Sequence, residues 1–288
     1  MITGRTQLLA VIGDPVGHSI SPRMHTEAMG KLGLDYVYLA FKATPDTLEN
    51  VVNSLKTLGV RGYSVTMPCK TIVGQYLDEL SPAAELMGAV NTVVCEDGRL
   101  IGHNTDGQGF MRNLKEHGVD VIGKKITLIG AGGAGSAIYT QAALDGVKEI
   151  ALYNVKDNFF ETTNRRVLDV AEHTGCSIHL SDLDDKTALA EDIAGSALLV
   201  DATRVGMPPL EGQMNVDADM LRPDLAVADT VYNPPVTELL ATAARLGATT
   251  VNGLGMLLWQ AAIAEKIWVD QEMPVDFIEE LLFSDTAH

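Results

Sequence analysis

The chain has 288 residues, of which 46% are hydrophobic and 20% are charged, and its formal net charge is −17. This composition is typical of a folded globular protein, and the length is sufficient for two domains. The chain has 21 Lys and Arg residues and 38 Asp and Glu residues, and this excess of negative charge argues against nucleic-acid binding. No stretch reaches the roughly 20 apolar residues of a membrane span and no signal peptide is visible, so we expect a cytoplasmic protein without membrane contact.

The cysteines and histidines argue against two further kinds of site. Cys69, Cys95 and Cys176 are too few and too widely spaced for a disulfide framework or a zinc pair. The histidines show no metal-ligand spacing, so the sequence predicts no bound metal. Cys69 precedes Lys70, and we interpret it as a small space-filling residue.

The first third of the chain alternates short apolar runs with amphipathic segments. Strands are predicted at residues 8–13, 36–42 and 62–67, and helices at 21–33 and 44–58. Such alternation is typical of βαβ units, and it predicts an open α/β domain with a mostly parallel sheet.

The same alternation starts again near Asp106 and predicts a second domain. Strands are expected at 125–129, 149–153, 198–201, 225–229 and 249–252, with a helix at 134–144. The segment from Met256 through Leu282 is helical by its apolar spacing, is broken near Pro274, and is expected to pack back on the first domain. We therefore predict a two-domain α/β protein: residues 1–105 with 256–288 bind substrate, and residues 106–255 form a Rossmann dinucleotide-binding domain.

A glycine-rich loop joins the predicted strand at 125–129 to the helix that follows it. Gly130, Gly132 and Gly135 match the GxGxxG pattern, in which the glycines permit a tight turn, a close approach to a pyrophosphate, and close packing of helix on strand. The helix N-terminus then offers free N–H groups to the phosphates. The strand and helix on either side favour a dinucleotide site over a merely structural turn.

The choice of cofactor is expected to depend on the residues after the next strand. Asp157 is an acid that accepts hydrogen bonds from ribose hydroxyls and repels a 2′-phosphate, so we expect NAD rather than NADP. Two features weigh against this: Asp157 lies beyond the usual spacing, and the neighbouring Lys156 partly neutralises the repulsion.

Four polar clusters stand out in the first part of the chain: HSISP (18–22), SVTMPCK (64–70), AVNT (89–92) and NTDG (104–107). The chain also contains, in this order, the motifs GAVNTV, HNTDG, GAGGAG, VYNPPVTELL and GLGMLLWQ. By these motifs it resembles the shikimate dehydrogenase family over essentially its whole length, and most closely the quinate/shikimate dehydrogenase branch. The resemblance implies an NAD(P)-dependent enzyme that reversibly oxidises a ring hydroxyl of shikimate to 3-dehydroshikimate, of quinate to 3-dehydroquinate, or of both.

Oxidation of a secondary alcohol needs a base for the hydroxyl proton while hydride leaves the same carbon. We identify Lys70 as the candidate base and Asp106 as the carboxylate that orients it; the resemblance implies this pair, and the alternative is an exposed ion pair. Burial favours neutral lysine and Asp106 favours the cation, and the sequence does not decide between them.

Further site residues follow from hydroxyl chemistry and from the resemblance. The hydroxyls of Ser19 and Ser21 are suited to one substrate carboxylate, although Ser21 before Pro22 also fits a helix N-cap. The resemblance implies three sets of residues. The carboxylate ligands are Ser19, Ser21 and Tyr232; the ring-hydroxyl ligands are Thr66, Lys70, Asn91, Asp106 and Gln260; the cofactor-binding residues are Gly130, Ala131, Gly132, Gly133, Ala134, Gly135, Asn154, Val155, Asp157, Thr203, Val231 and Gly253. Asn91 and Gln260 fit equally well as partners of nearby backbone groups.

One departure from the family concerns Ser64. The family's common pattern is Asn-Val-Thr, whereas this chain has Ser64-Val65-Thr66, and the shorter side chain relaxes discrimination between shikimate and quinate. We therefore expect activity on both. The rival hypotheses are an NADP-dependent biosynthetic shikimate dehydrogenase, for which Arg is expected where Val155 stands, a non-catalytic NAD-binding regulator, and a dehydrogenase of a folate derivative or glutamyl ester. The sequence leaves open whether the chain forms a homodimer.

Overall fold

The computed structural model describes residues 2–283 and divides the chain into two compact units. One unit runs to Thr105 and resumes at Leu258, and the other spans Asp106–Leu257. Each unit is a six-stranded sheet with helices, so the predicted two-domain α/β fold class is confirmed. Of the predicted domain range 256–288, residues 284–288 lie outside the described part of the chain.

The first unit is built on a mixed sheet in the order β2-β1-β3-β5-β6-β4. Its strands are β1 (Gln7–Gly13), β2 (Tyr36–Lys42), β3 (Gly62–Val65), β4 (Glu79–Leu80), β5 (Thr92–Glu96) and β6 (Arg99–His103). Its first helices are α1 (Ser21–Lys31), α2 (Leu48–Thr57) and α3 (Pro82–Met87), with a 3₁₀ turn at Val73–Tyr76.

The first sheet is mostly parallel, as predicted, because β4 also pairs in parallel with β6, but the antiparallel strand β5 was not predicted. β1 pairs in parallel with β2 and β3, but β5 is antiparallel to both β3 and β6. β5 and β6 form a hairpin closed by Asp97 and Gly98, which both have positive φ. An Asp-Gly pair between two apolar runs is a hairpin signal, and it was present in the sequence.

The C-terminal helices are α9 (Gly253–Val269) and α10 (Val275–Phe283). Trp268 of α9 is fully buried among sheet residues, and its indole N–H donates to the carbonyl of Val93 at 2.9 Å. The ring lies against β3 where Gly62 leaves space, because a Cβ there would come within 2.5 Å of the indole nitrogen. The expectation that these helices pack back on the first unit is confirmed.

The second unit is built on a parallel sheet in the order β12-β11-β10-β7-β8-β9. Its strands are β7 (Lys125–Ile129), β8 (Glu149–Asn154), β9 (Ser177–Asp182), β10 (Leu198–Asp201), β11 (Ala226–Asp229) and β12 (Thr250–Val251). Its helices are α4 (Asp106–Glu116), α5 (Gly133–Leu144), α6 (Phe160–Thr174), α7 (Lys186–Ala194) and α8 (Glu238–Arg245), with a 3₁₀ turn at Ala218–Met220.

Strand order in this sheet reverses between β7 and β10, and ligands of such sheets bind outside the carboxyl ends of the strands at that point. β9 was not predicted from the sequence. That strand lies at the edge of the sheet, and only Ile178 of its six residues is buried, so it lacks the continuous apolar run of the central strands.

Candidate active site

The polar clusters of the first unit lie along one edge of its sheet. β1 and β3 are parallel neighbours that end at Gly13 and Val65, so the segments after them leave the same edge. β5 runs the opposite way and begins just after Asn91, and β6 ends just before Asn104. The topology therefore collects at one edge four segments that are far apart in sequence.

Hydrogen bonds tie these segments together around Asn91, which is 3% exposed. Its Oδ1 accepts from the backbone N–H of Thr105 at 2.8 Å, and its Nδ2 donates to the Thr105 hydroxyl at 2.9 Å. Asn104 Nδ2 donates to the carbonyl of Ala89, and the N–H of Val90 donates to the carbonyl of Lys70 at 2.8 Å. Asn91 thus holds the residue that precedes Asp106, and its neighbour Val90 holds the backbone of Lys70.

Ser19 and Ser21 lie where α1 begins. The N–H of Ser21 donates to the Ser19 hydroxyl at 3.3 Å. The N-cap of α1 is Ile20, with Pro22 in the first turn, and no side chain caps this helix end. The alternative reading of Ser21 as the N-cap is wrong, because Ser21 is the first helical residue.

Thr66 follows β3 and crosses the end of β1. Its N–H donates to Ile12, and Met67 accepts from the N–H of Asp14 at 3.0 Å. Gly13 makes this crossing feasible, since a Cβ on it would come within 2.8 Å of the Met67 carbonyl oxygen. Thr66 and Ser19 are therefore carried by adjoining loops.

Lys70 and Gln260 are half-buried residues of the first unit. Lys70 follows Cys69, whose thiol is fully buried and points to the carbonyl of Ala43 at 3.5 Å. Burial raises the pKa of the Cys69 thiol, which fits a space-filling role rather than a nucleophilic one. Gln260 lies on α9, eight residues before the buried Trp268.

The glycine turn of the second unit has the shape that a pyrophosphate needs. Gly130 has φ +97°, its N–H donates to Tyr153, and a Cβ on it would lie 2.9 Å from the Thr203 methyl group. A Cβ on Gly135 would come within 2.8 Å of the Gly130 carbonyl carbon. No side chain caps α5, whose N-cap is Gly132, so its first N–H groups remain for an anion.

The neighbouring strand ends complete this cradle. Asn154 ends β8, and its Oδ1 accepts from the N–H of Ala131 at 3.1 Å. Thr203 follows β10, Val231 is buried after β11, and the N–H of Gly253 donates to the carbonyl of Val231. The remaining predicted residues of the turn, Gly133 and Ala134, are the first two of α5. The cradle fits a dinucleotide.

Asp106 is the first residue of α4, which packs closely on α5. A Cβ on Gly107 would meet Gln141 Cβ at 2.6 Å and would press on the carbonyl group of Ala137. The glycine thus lets the two helices touch one turn after α5 begins. This contact fixes the start of α4, and with it Asp106, relative to the helix that follows the glycine turn.

Two buried aspartates that the sequence analysis did not select support the loops of the second unit. Asp201 ends β10 and accepts from the N–H of Thr203 and from Asn215 Nδ2. Asp229 ends β11 and accepts from the N–H of Val231 and from the Thr237 hydroxyl. Burial raises the pKa of both carboxyls, that of Asp229 to about 6. The sequence held a signal for both aspartates, because each is a polar residue at the end of an otherwise apolar strand.

The prediction of NAD assumed that Asp157, after β8, is the acid that meets the ribose of the cofactor. The residue that ends the strand is the neutral Asn154, and Asp157 uses Oδ1 to accept from the N–H of Phe159 at 2.9 Å. Val155 and Lys156 are exposed, and the Lys156 amine lies 6.0 Å from the centroid of the Phe160 ring. Asp157, which was expected to repel a 2′-phosphate, thus accepts a hydrogen bond within a local turn and lies next to the exposed Lys156.

Tyr232 lies in the loop after β11 and is 49% exposed. Among residues 2–283 no helix is long and apolar enough to cross a membrane, and no group of three His, Cys, Asp or Glu side chains is arranged to hold a metal ion.

Comparison with known proteins agrees with this architecture. Two family models match, the shikimate dehydrogenase substrate binding domain at residues 11–93 and the shikimate 5'-dehydrogenase C-terminal domain at residues 253–283. A shikimate dehydrogenase (NADP(+)) from Listeria monocytogenes serotype 4b is 54% identical over 98% of this chain and 97% of its own length. The chain belongs to the shikimate dehydrogenase family. It is therefore an NAD(P)-dependent oxidoreductase, as the sequence predicted.

Solved structures of this family are also similar to the chain. A shikimate 5-dehydrogenase from Listeria monocytogenes, in complex with shikimate and NAD, has a TM-score of 0.96 at 54% identity and covers 98% of both chains. Quinate dehydrogenase from Corynebacterium glutamicum, in complex with NAD, has a TM-score of 0.87 at 30% identity and covers 97% of this chain and 99% of its own.

The expectation of NAD rather than NADP is wrong. Curated relatives at 49% to 54% identity are named for NADP(+). Asp157 Oδ1 accepts from the backbone N–H of Phe159, and the adjacent exposed Lys156 supplies positive charge that offsets the repulsion expected between Asp157 and a 2′-phosphate.

Proposed function

We propose that this enzyme reversibly oxidises shikimate to 3-dehydroshikimate with NADP. The observation that carries the proposal is the hydrogen-bonded edge of the first unit, where Val90 holds the backbone of Lys70 and Asn91 holds Thr105, the residue before Asp106. A non-catalytic regulator would not need Lys70 with Asp106. The names of the curated relatives support the substrate and the cofactor.

Lys70 is proposed as the base. During oxidation the carbinol C–H bond breaks with its electron pair, the O–H bond loses its proton, and a C=O bond forms. NADP, when bound, supplies the hydride acceptor. The Lys70 amine takes the hydroxyl proton, and in the reverse direction it returns that proton to the forming alcohol. Asp106 is proposed to orient the amine and the reacting hydroxyl.

The remaining ligands divide by the chemistry of the substrate. Ser19 and Ser21 are proposed to donate to the substrate carboxylate, with Tyr232 as a third donor. Thr66, Asn91 and Gln260 are proposed to bind ring hydroxyls. Asn91 accepts from the N–H of Thr105 through Oδ1 and donates to the Thr105 hydroxyl through Nδ2, which holds its amide at this place in the first unit.

Lys156 is proposed to bind the 2′-phosphate of NADP. It is exposed two residues beyond Asn154, at the end of the strand where a ribose is expected. In Lys156→Gln, loss of one charge-assisted contact is expected to raise the KM for NADP about ten-fold and leave the KM for NAD within about two-fold. Lys148→Gln, at an exposed lysine of the same unit, is the control. Equal changes for both cofactors would contradict this role.

Quinate is proposed as a second, poorer substrate, because Ser64 is shorter than the Asn of the family pattern. Homodimer formation and a cytoplasmic location stay predictions.

Initial rates with shikimate and quinate against NADP and NAD, in one matrix, test substrate and cofactor together. No turnover of shikimate with NADP would refute the proposed function.

The mechanism is tested with Lys70→Met, which keeps an unbranched side chain one atom shorter and removes the amine. We expect kcat to fall by about 100-fold or more, with NADP binding unchanged, because a positioned base contributes about 10²–10⁴-fold. Lys148→Met is the control. A Lys70→Met enzyme with near-normal kcat would show that another group takes the proton.

A further inference from the structure

A buried polar pair in the first unit has no part in the chemistry above. His25 Nδ1 lies 2.8 Å from Glu265 Oε1, and the two side chains are 1% and 0% exposed. The imidazole stacks on Tyr38 at 4.5 Å between centroids and meets the Trp268 ring edge-on at 5.2 Å. Packing on two aromatic rings leaves the pair little freedom to move.

The pair is costly to bury. Glu265 Oε2 is buried and has no hydrogen-bond partner, so one carboxyl oxygen loses its hydration without compensation. Apolar residues of similar volume often stabilise a protein core as well as a buried polar pair does. Stability alone therefore gives little reason for His25 and Glu265 at these positions, and a role in geometry gives a better one.

The two helices that the pair joins carry proposed substrate ligands. His25 lies four residues after Ser21 on α1, so the two side chains share one face of that helix. Glu265 lies five residues after Gln260 on α9. All four residues belong to the first unit. The hydrogen bond thus fixes the helix of a carboxylate ligand against the helix of a ring-hydroxyl ligand.

We infer that His25 and Glu265 are positioning residues for the substrate: their hydrogen bond sets the separation and rotation of α1 and α9 that let Ser21 and Gln260 hold one shikimate molecule. This inference rests on the proposed function. A misplacement of about 1 Å at a reacting centre can cost on the order of 100-fold in rate, so a small shift of either helix is sufficient to misplace a bound substrate.

The test compares three variants with wild type. Glu265→Gln keeps an acceptor oxygen for the imidazole N–H. The double variant His25→Leu with Glu265→Met removes both polar groups, and so avoids an unpaired buried charge. Thr127→Val with Ser196→Ala removes another buried pair, joined at 2.8 Å in the second unit, and is the matched control. The measurements are kcat, the KM values for shikimate and NADP, and the melting temperature.

In the apolar double variant we expect the KM for shikimate to rise about ten-fold or more while the KM for NADP stays within about two-fold. Glu265→Gln is expected to keep the shikimate KM within about three-fold of wild type, and the control to leave it unchanged. A wild-type shikimate KM in the apolar double variant would overturn the inference. So would an equal rise in both KM values, or a Glu265→Gln as impaired as the double variant.

The two levels of failure are distinguishable. A wild-type protein that does not turn over shikimate refutes the proposed function, and this inference with it. An active wild type whose apolar double variant binds shikimate normally refutes only the positioning role.

Discussion

Ionisation of Asp229 is expected to lower the stability of the second unit as pH rises. The carboxyl is 2% exposed, and burial raises its pKa from the ordinary 3.8 to about 6, with the facing Asp201 adding to the shift. Between these two values the folded chain holds a proton that the unfolded chain has released. Stability from this group is therefore greatest at low pH and is lost as pH rises to about 6.

The magnitude follows from the shift. About 2.2 pKa units at roughly 1.36 kcal/mol each give about 3 kcal/mol. Asp229→Asn keeps an oxygen to accept from the N–H of Val231, and its amide can donate to the Thr237 hydroxyl, but it does not ionise. The stability of the variant relative to wild type is expected to increase by about 3 kcal/mol between pH 3 and pH 7.

Urea denaturation of both proteins, followed by far-UV circular dichroism at several pH values across this range, measures that difference. Asp219→Asn, at an exposed aspartate of the same unit, is the control and is expected to give a difference that hardly changes with pH. A constant difference between Asp229→Asn and wild type would refute the reasoning, because it would mean that the buried carboxyl does not titrate differently in the two states.

Two glycines give further predictions from the space around them. Gly135→Ala is expected to weaken NADP binding at least ten-fold in calorimetry, because the new methyl group would displace the Gly130 peptide; unchanged affinity would show that the turn does not cradle the cofactor. Gly62→Ala is expected to cost at least about 2 kcal/mol in denaturation experiments, because the methyl group would press on the Trp268 ring and on the Val93 carbonyl. Gly30→Ala, on an exposed position of α1 with open space around it, controls for both and is expected to be neutral or stabilising.

The sequence alone predicted the features that depend on near neighbours in the chain. The glycine turn at Gly130 was recognisable because backbone sterics, a preceding apolar strand and a following helix are all local. The order of the motifs indicated the family, and the alternation of strands and helices indicated the fold class. The cofactor was predicted wrongly from local features too, since Lys156 beside Asp157 already offered positive charge to a 2′-phosphate in the sequence.

Tertiary structure decided which polar groups meet. Asn91 was equally compatible with binding substrate and with satisfying its neighbours, and the fold shows that it holds Thr105. His25 and Glu265 are 240 residues apart and lie on segments whose patterns say nothing of each other. Periodicity and turn chemistry act over a few residues, whereas the pairing of buried polar groups depends on which distant elements pack together, and that is fixed only when the core forms.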